Sequence, residues 1–179
     1  MSLESKKISF DKILTKTLQF EGGLRLHKNP TENFETYAGI YRKAHPDWEG
    51  WDYIDRGEDP PFELVRQFYR THYFKHFEHL KYDVVKAILF DTAVNLGVKT
   101  AVKLAQKVLG LVPDGVIGPK TTNALDNIED VEKFVLAYIL ARIAFYVNLA
   151  NKNPRKYGLY LRGWLNRCLE LLQWIYSVS

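Results

Sequence analysis

DKILTKTLQFEGG, residues 11–23, decides how the rest of this chain is read. Ile13, Leu14 and Leu18 recur at helical spacing on one face, with Asp11 or Ser9 placed to cap the start. Gly22 and Gly23 then stop the helix, because the position after a helix often takes a left-handed conformation that glycine adopts without strain. Glu21 therefore falls in the last turn, near the negative end of the helix dipole, a setting that favours the neutral carboxylic acid. A glutamic acid that keeps its proton near neutrality can protonate a leaving-group oxygen. A Glu-Gly-Gly triplet alone is weak, since a surface glutamate before a helix stop reads the same way.

Working outward, the sequence predicts a mostly α fold. Residues 24–60 are polar and irregular, broken by Pro30, Pro46 and Pro60-Pro61, with a short strand or hairpin expected near residues 36–41. A segment of that length between helices is too long for a plain connector and is expected to be functional. PFELVRQFYRTHYFKHFEHL, residues 61–80, predicts one continuous helix with Phe68, Tyr69, Tyr73, Phe74 and Phe77 as an aromatic core stripe. Further helices are predicted over residues 83–96, 100–109, 120–126 and 131–151. A last helix is expected over 161–176, after breaks at Asn153-Pro154 and Gly158.

The 179 residues, 46 % hydrophobic and 14 % aromatic, suffice for a packed core and exclude a disordered chain. A net charge of +4 suits an anionic partner such as a cell-wall polymer. The cations are scattered rather than striped, so no nucleic-acid partner is expected. The single cysteine, Cys168, forms no internal disulfide and sits in an apolar helical run, which predicts a buried thiol. No stable membrane insertion and no encoded signal peptide are expected, and the chain is expected to be a monomer.

Four motifs in order resemble the glycoside hydrolase family 108 lysozyme-like muramidases. Glu21-Gly22-Gly23 is followed by Thr36-Tyr37-Ala38-Gly39-Ile40, similar to the family's Thr-x-x-Gly-Ile. Phe90-Asp91-Thr92-Ala93-Val94-Asn95-Leu96-Gly97 resembles its Phe-Asp-x-Ala-Val-Asn-x-Gly segment. Residues 114–121, DGVIGPKT, are similar to the motif of the associated peptidoglycan-binding region, and Gly163-Trp164-Leu165-Asn166-Arg167 to a Gly-Trp-Leu-Asn-Arg signature. The resemblance implies a lysozyme-superfamily-like helical fold, with residues 1–97 as the catalytic part and 98–179 as the peptidoglycan-binding part. It implies cleavage of the β-1,4 bond between N-acetylmuramic acid and N-acetylglucosamine in peptidoglycan glycan strands, by an endolysin or prophage type of protein. Release through a phage-encoded pore would then replace a signal peptide.

Glu21 is the expected general acid. The loop after it reads LRLHKNPTENFE where the family carries Asp-Pro-Gly-Gly, so the second catalytic group stays open between Glu35, Glu32 and none, the last by substrate assistance. Leu24, Leu26 and Tyr37 are the local candidates for an apolar wall beside Glu21. Thr36 is expected to position a water, Gly39 to allow close backbone approach, and Tyr37 and Tyr41 to contact glycan. Asp91 and Asn95, four apart on one helix face, are expected to tie that helix to the catalytic loop, or Asn95 to reach substrate. His72, His76 and His79 lack the intervening glutamate of a zinc-protease helix, and neither metal nor cofactor is expected. A lytic transglycosylase, a non-catalytic peptidoglycan-binding or secretion module, and a wall-piercing phage structural protein are the alternatives.

Overall fold

The computed structural model describes residues 2–28 and 33–178. Their contacts form two compact units: Phe10–Lys75, and the residues before it together with those from His76 onward. This division differs from the 97/98 boundary suggested by the motifs, because the helix ending at Leu96 packs against the helices that follow it.

In the Phe10–Lys75 unit, α1 (Phe10–Phe20) buries Ile13, Leu14, Thr17 and Leu18, the face the spacing predicts, and packs against α3 (Phe62–His72). Glu21 closes α1: its amide donates to the carbonyls of Thr17 and Leu18, and the Gly23 amide reaches back to Leu18 at 2.8 Å. With Gly22 at φ +88°, this is a Schellman ending with Glu21 as its last helical-side residue. Three short strands follow, β1 (Leu26–His27), β2 (Thr36–Tyr37) and β3 (Ile40–Tyr41), antiparallel in that order. Tyr37 pairs with Leu26 and Ile40, and Thr36 with His27 and Tyr41. Ala38 and Gly39, at φ 49° and 78°, make the two-residue turn between β2 and β3, matching the sense of twist such hairpins need.

Two expectations change here. A helix α2 (Gly50–Asp55) lies within the stretch read as irregular, too short for a periodic signal. The helix expected over 61–80 ends at His72, where Tyr73 turns to φ −127°, and a 3-10 turn follows at Phe74–His76. Phe74 and Phe77 are buried all the same, so the aromatic periodicity reported burial and outlasted the helix.

The second unit is helical: α4 (Asp83–Leu96), α5 (Val98–Val108), α6 (Pro119–Asp126), α7 (Val131–Lys152) and α8 (Pro154–Ser177). α4 is buried along most of its length and packs on α5 and α7, and α7 in turn packs on α8. By length and mean hydropathy (1.5) α7 would pass for a membrane span. In this fold it lies against three helices, and it carries the fully buried Arg142. The last helix starts at Pro154, seven residues before the expected Leu161. Asn153 caps it by accepting from the Lys156 amide, Pro154 occupies the first turn where its missing N–H is harmless, and Gly158 lies inside the helix. Lys6, 7 % exposed, donates to the carbonyls of Tyr176 (2.9 Å) and Val178, a cation on the negative end of α8.

Two polar knots organise this unit. Asp91, fully buried, is held by Arg142 from α7 (2.7 Å) and Arg167 from α8 (2.8 Å). Arg142 also donates to the Tyr146 hydroxyl, which donates to Asn95. Asp91 and Asn95, expected to serve the catalytic loop, carry bonds that clamp α4 to α7 and α8. The second knot centres on Gln106, 1 % exposed, which donates to Asp114 (2.7 Å), Thr121 (3.0 Å) and the Val116 carbonyl (3.1 Å) and accepts from the Gly115 amide (2.9 Å). Asp114 also accepts from the Val116 amide at 2.8 Å, Gly115 takes φ 81°, and a Cβ at Gly115 would come within 2.6 Å of Lys99. Replacing Gln106 by Leu strands several of these partners and is expected to cost about 2–4 kcal/mol in a urea melt. A change under about 0.5 kcal/mol would show that the loop relaxes to water.

Candidate active site

The Schellman ending fixes the backbone of Glu21, and the β2–β3 turn comes to meet its side chain. A Cβ built on Gly39 would lie 3.1 and 3.2 Å from Cβ and Cγ of Glu21 and 2.6 Å from the Tyr69 hydroxyl. That hydroxyl donates to the Ala38 carbonyl at 2.7 Å, which pins the turn to α3. Tyr73 stacks on Tyr69 with ring centroids 5.8 Å apart. Burial, and then the negative charge of Glu21, hold the Tyr73 phenol above its ordinary pKa, so it stays a protonated donor at neutral pH. Glu21 itself is half-buried. The result is a carboxyl group on a fixed helix end, flanked by a glycine turn and two tyrosines.

Gly39 is needed twice over, for φ +78° and for space. Gly39→Ala is expected to push the turn away from Glu21 and Tyr69. An activity loss of tenfold or more should follow, because displacements near 1 Å at a reacting group cost on the order of 100-fold. Rates on purified sacculi and a thermal melt check this. Full activity in the variant would show that the close approach is incidental.

The other expected site residues fare differently. Thr36 is buried in β2, paired with Tyr41. Tyr37 is 3 % exposed and stacked on Trp48, so its ring is committed to the unit's core rather than offered to a ligand. Burial, and then the charge of Asp59, raise its phenol pKa. Tyr41 is half-buried and meets the exposed Phe34 edge-on at 6.5 Å, an aromatic pair beside the hairpin. Glu35 accepts from Arg42 at 3.2 Å, and Arg42 is more closely held by Asp55 at 2.6 Å, so Glu35 belongs to a surface charge cluster. Glu32 lies outside the described residues. Asn95 belongs to the other unit, where it accepts from Tyr146.

Leu24 and Leu26, expected as the wall beside Glu21, are 49 % and 43 % exposed. Tyr69 and Tyr73 flank Glu21. Their i, i+4 spacing was visible in the aromatic stripe, but a stripe of that kind does not say which rings face a carboxylate. Among the described residues no cluster of three or more metal-ligating side chains occurs. His72 bonds the Phe68 carbonyl and His79 bonds Thr122.

Residues 14–97 match the family described as Glycosyl hydrolase 108, and residues 100–169 match the one described as Predicted Peptidoglycan domain. The solved structure of SagA from Brucella abortus is similar in fold, with a TM-score of 0.69 over 95 % of each chain at 24 % identity. No curated protein sequence matches the chain.

Proposed function

We infer that this chain, a peptidoglycan hydrolase whose residues 14–97 form a glycosyl hydrolase 108 segment and whose residues 100–169 form a peptidoglycan domain, uses Glu21 as its general acid. The bond cleaved is the β-1,4 link between N-acetylmuramic acid and N-acetylglucosamine. The observation that carries the reading is the placement of Glu21 at a capped helix end against Gly39, with Tyr69 and Tyr73 beside it. A half-buried carboxyl in such a position protonates the glycosidic oxygen as the anomeric bond opens, and an oxocarbenium-like centre forms. Thr36, on the strand that leads into the turn, is the residue proposed to orient the attacking water. Tyr41, with Phe34, offers the sugar an aromatic edge. A bacteriolytic, endolysin-type role fits a catalytic segment joined to a wall-binding one.

One observation favours a second reading. The Glu35 carboxylate is engaged by Arg42, and a mechanism with a single acid also serves a lytic transglycosylase. Mass spectrometry of fragments released from purified sacculi separates the two. Reducing-end N-acetylmuramic acid supports hydrolysis of the stated bond, and 1,6-anhydro ends move the chemistry to transglycosylation. Reducing-end N-acetylglucosamine would overturn the assignment of the bond.

A further inference from the structure

A pocket of about 380 Å³ opens on the Phe10–Lys75 unit between α3 and the 44–49 segment. Ligand-sized clefts begin near this volume. Residues of α3 that line it include Leu64, Phe68, Thr71 and His72, whereas Tyr69 and Tyr73 belong to the Glu21 site. At 3.6 residues per turn Tyr69 falls on a different side of the helix from these residues, and Tyr73 lies past the helix end, so the pocket is separate from the catalytic constellation.

Its walls are rings. His72 stacks on Phe68 at 4.2 Å, His45 meets both edge-on at 4.7 and 5.2 Å, and Trp48 stands at 6.4 Å from Phe68. Trp48 is held rigidly: its indole nitrogen donates to the Leu64 carbonyl, and its six-membered ring lies where a Cβ on Gly50 would come within 2.2 Å. The edge of the pocket is polar, formed by Asp47, Glu49, Gln67 and Thr71. His72 Nδ1 lies 2.9 Å from the Phe68 carbonyl and donates to it, which fixes the orientation of the ring. Burial, and then the neighbouring His72, lower the pKa of His45, which favours its neutral form at neutral pH. Among the described residues, no lysine or arginine lines the pocket.

We propose that this pocket is a second glycan site that takes a neutral N-acetylhexosamine ring of the peptidoglycan strand, away from the bond being cleaved. Ring walls suit a pyranose face, and an edge rich in acceptors suits a ligand rich in hydroxyl donors. The two carboxylates and the missing cations select against a carboxylate-bearing sugar, which points to N-acetylglucosamine over N-acetylmuramic acid. The proposal rests on peptidoglycan as the substrate and is independent of Glu21 as the acid.

Binding is tested without turnover, on the full chain carrying Glu21→Gln, by titrating tri-N-acetylglucosamine while following the ring resonances of His45 and His72. Saturable shifts are expected. They should weaken at least tenfold in Thr71→Trp, which fills the mouth from an exposed position, and also in the double variant Asp47→Asn, Gln67→Ala, which keeps the pocket open. Shifts at the β2–β3 hairpin and at position 21 with His45 and His72 unmoved would overturn the proposal. So would shifts indifferent to both variants, or tighter binding of N-acetylmuramic acid or of a stem peptide. Because the readout is binding at named rings, its failure would leave the assignment of Glu21 untouched.

Discussion

Glu21→Gln is expected to lower kcat/KM on sacculi by roughly 10²–10⁴, the usual contribution of a positioned general acid, with no shift in the thermal midpoint. Glutamine keeps the shape and the hydrogen-bonding reach of the side chain while removing the transferable proton. The half-buried position and the backbone bonds from Gly23 and Glu21 to Leu18 do not depend on the carboxyl. Glu21→Asp separates the proton from its placement. One methylene fewer withdraws the carboxyl by more than 1 Å, and a fall of about 100-fold should follow even though an acid is retained. Release of reducing ends and a melting curve, measured on the same preparations, decide the matter. Glutamine activity above about a tenth of wild type would remove Glu21 from the acid role.

The largest stability effect is expected at Asp91→Asn. The carboxylate is the anion recorded between two guanidiniums, Arg142 at 0 % and Arg167 at 7 % exposure, and Arg142 Nη2 has no hydrogen-bond partner among the described residues. Removing one partner of a buried ion pair costs about 3–5 kcal/mol, because the remaining charge stays desolvated. Against a typical total of about 5–15 kcal/mol, such a loss takes the protein close to unfolding. Arg167→Met should cost less, since Arg142 still balances the carboxylate. The pH dependence has a definite sign. Burial alone would raise the Asp91 pKa, but Arg167 and then Arg142 hold it below the usual range. The stabilisation is therefore complete above the unfolded value of about 3.9 and is lost as pH falls toward the folded value. Urea midpoints between about pH 3 and pH 7 should decline on the acid side in wild type and decline less in Asp91→Asn. Parallel curves would show that other carboxylates carry the acid transition.

Much of the architecture was legible because hydrophobic periodicity reports burial directly. α4 was read at its observed limits, and α1 and α7 to within a residue. The error at the last helix came from punctuation. Pro154 was taken as a break, yet a proline in the first turn begins a helix. Gly158 was taken as a stop, yet a glycine inside a helix costs only about 1 kcal/mol, which a 24-residue element absorbs. Glu21 and Gly39 were legible because glycine marks backbone geometry that few other residues tolerate. The partners of Asp91 were not, since they lie 51 and 76 residues away and nothing local in the chain names them. Gln106 went unnoticed for a similar reason: a lone glutamine in an amphipathic helix looks like surface until the turn it organises is seen.

The two bonds from Lys6 to the end of α8 join residues 170 and 172 positions apart. On a ribosome, Phe10–Lys75 emerges with the partners of its hairpin and its tyrosine clamp already within reach. The segment before Phe10 must instead wait until α8 has been made, so the unit to which it belongs closes late. Long-range closures of this kind slow folding and leave apolar faces open in the interval. The exposed interval falls on α4 and α7, the most apolar helices of that unit. A chaperone that shields them during synthesis would act at the point where this chain is most prone to aggregate.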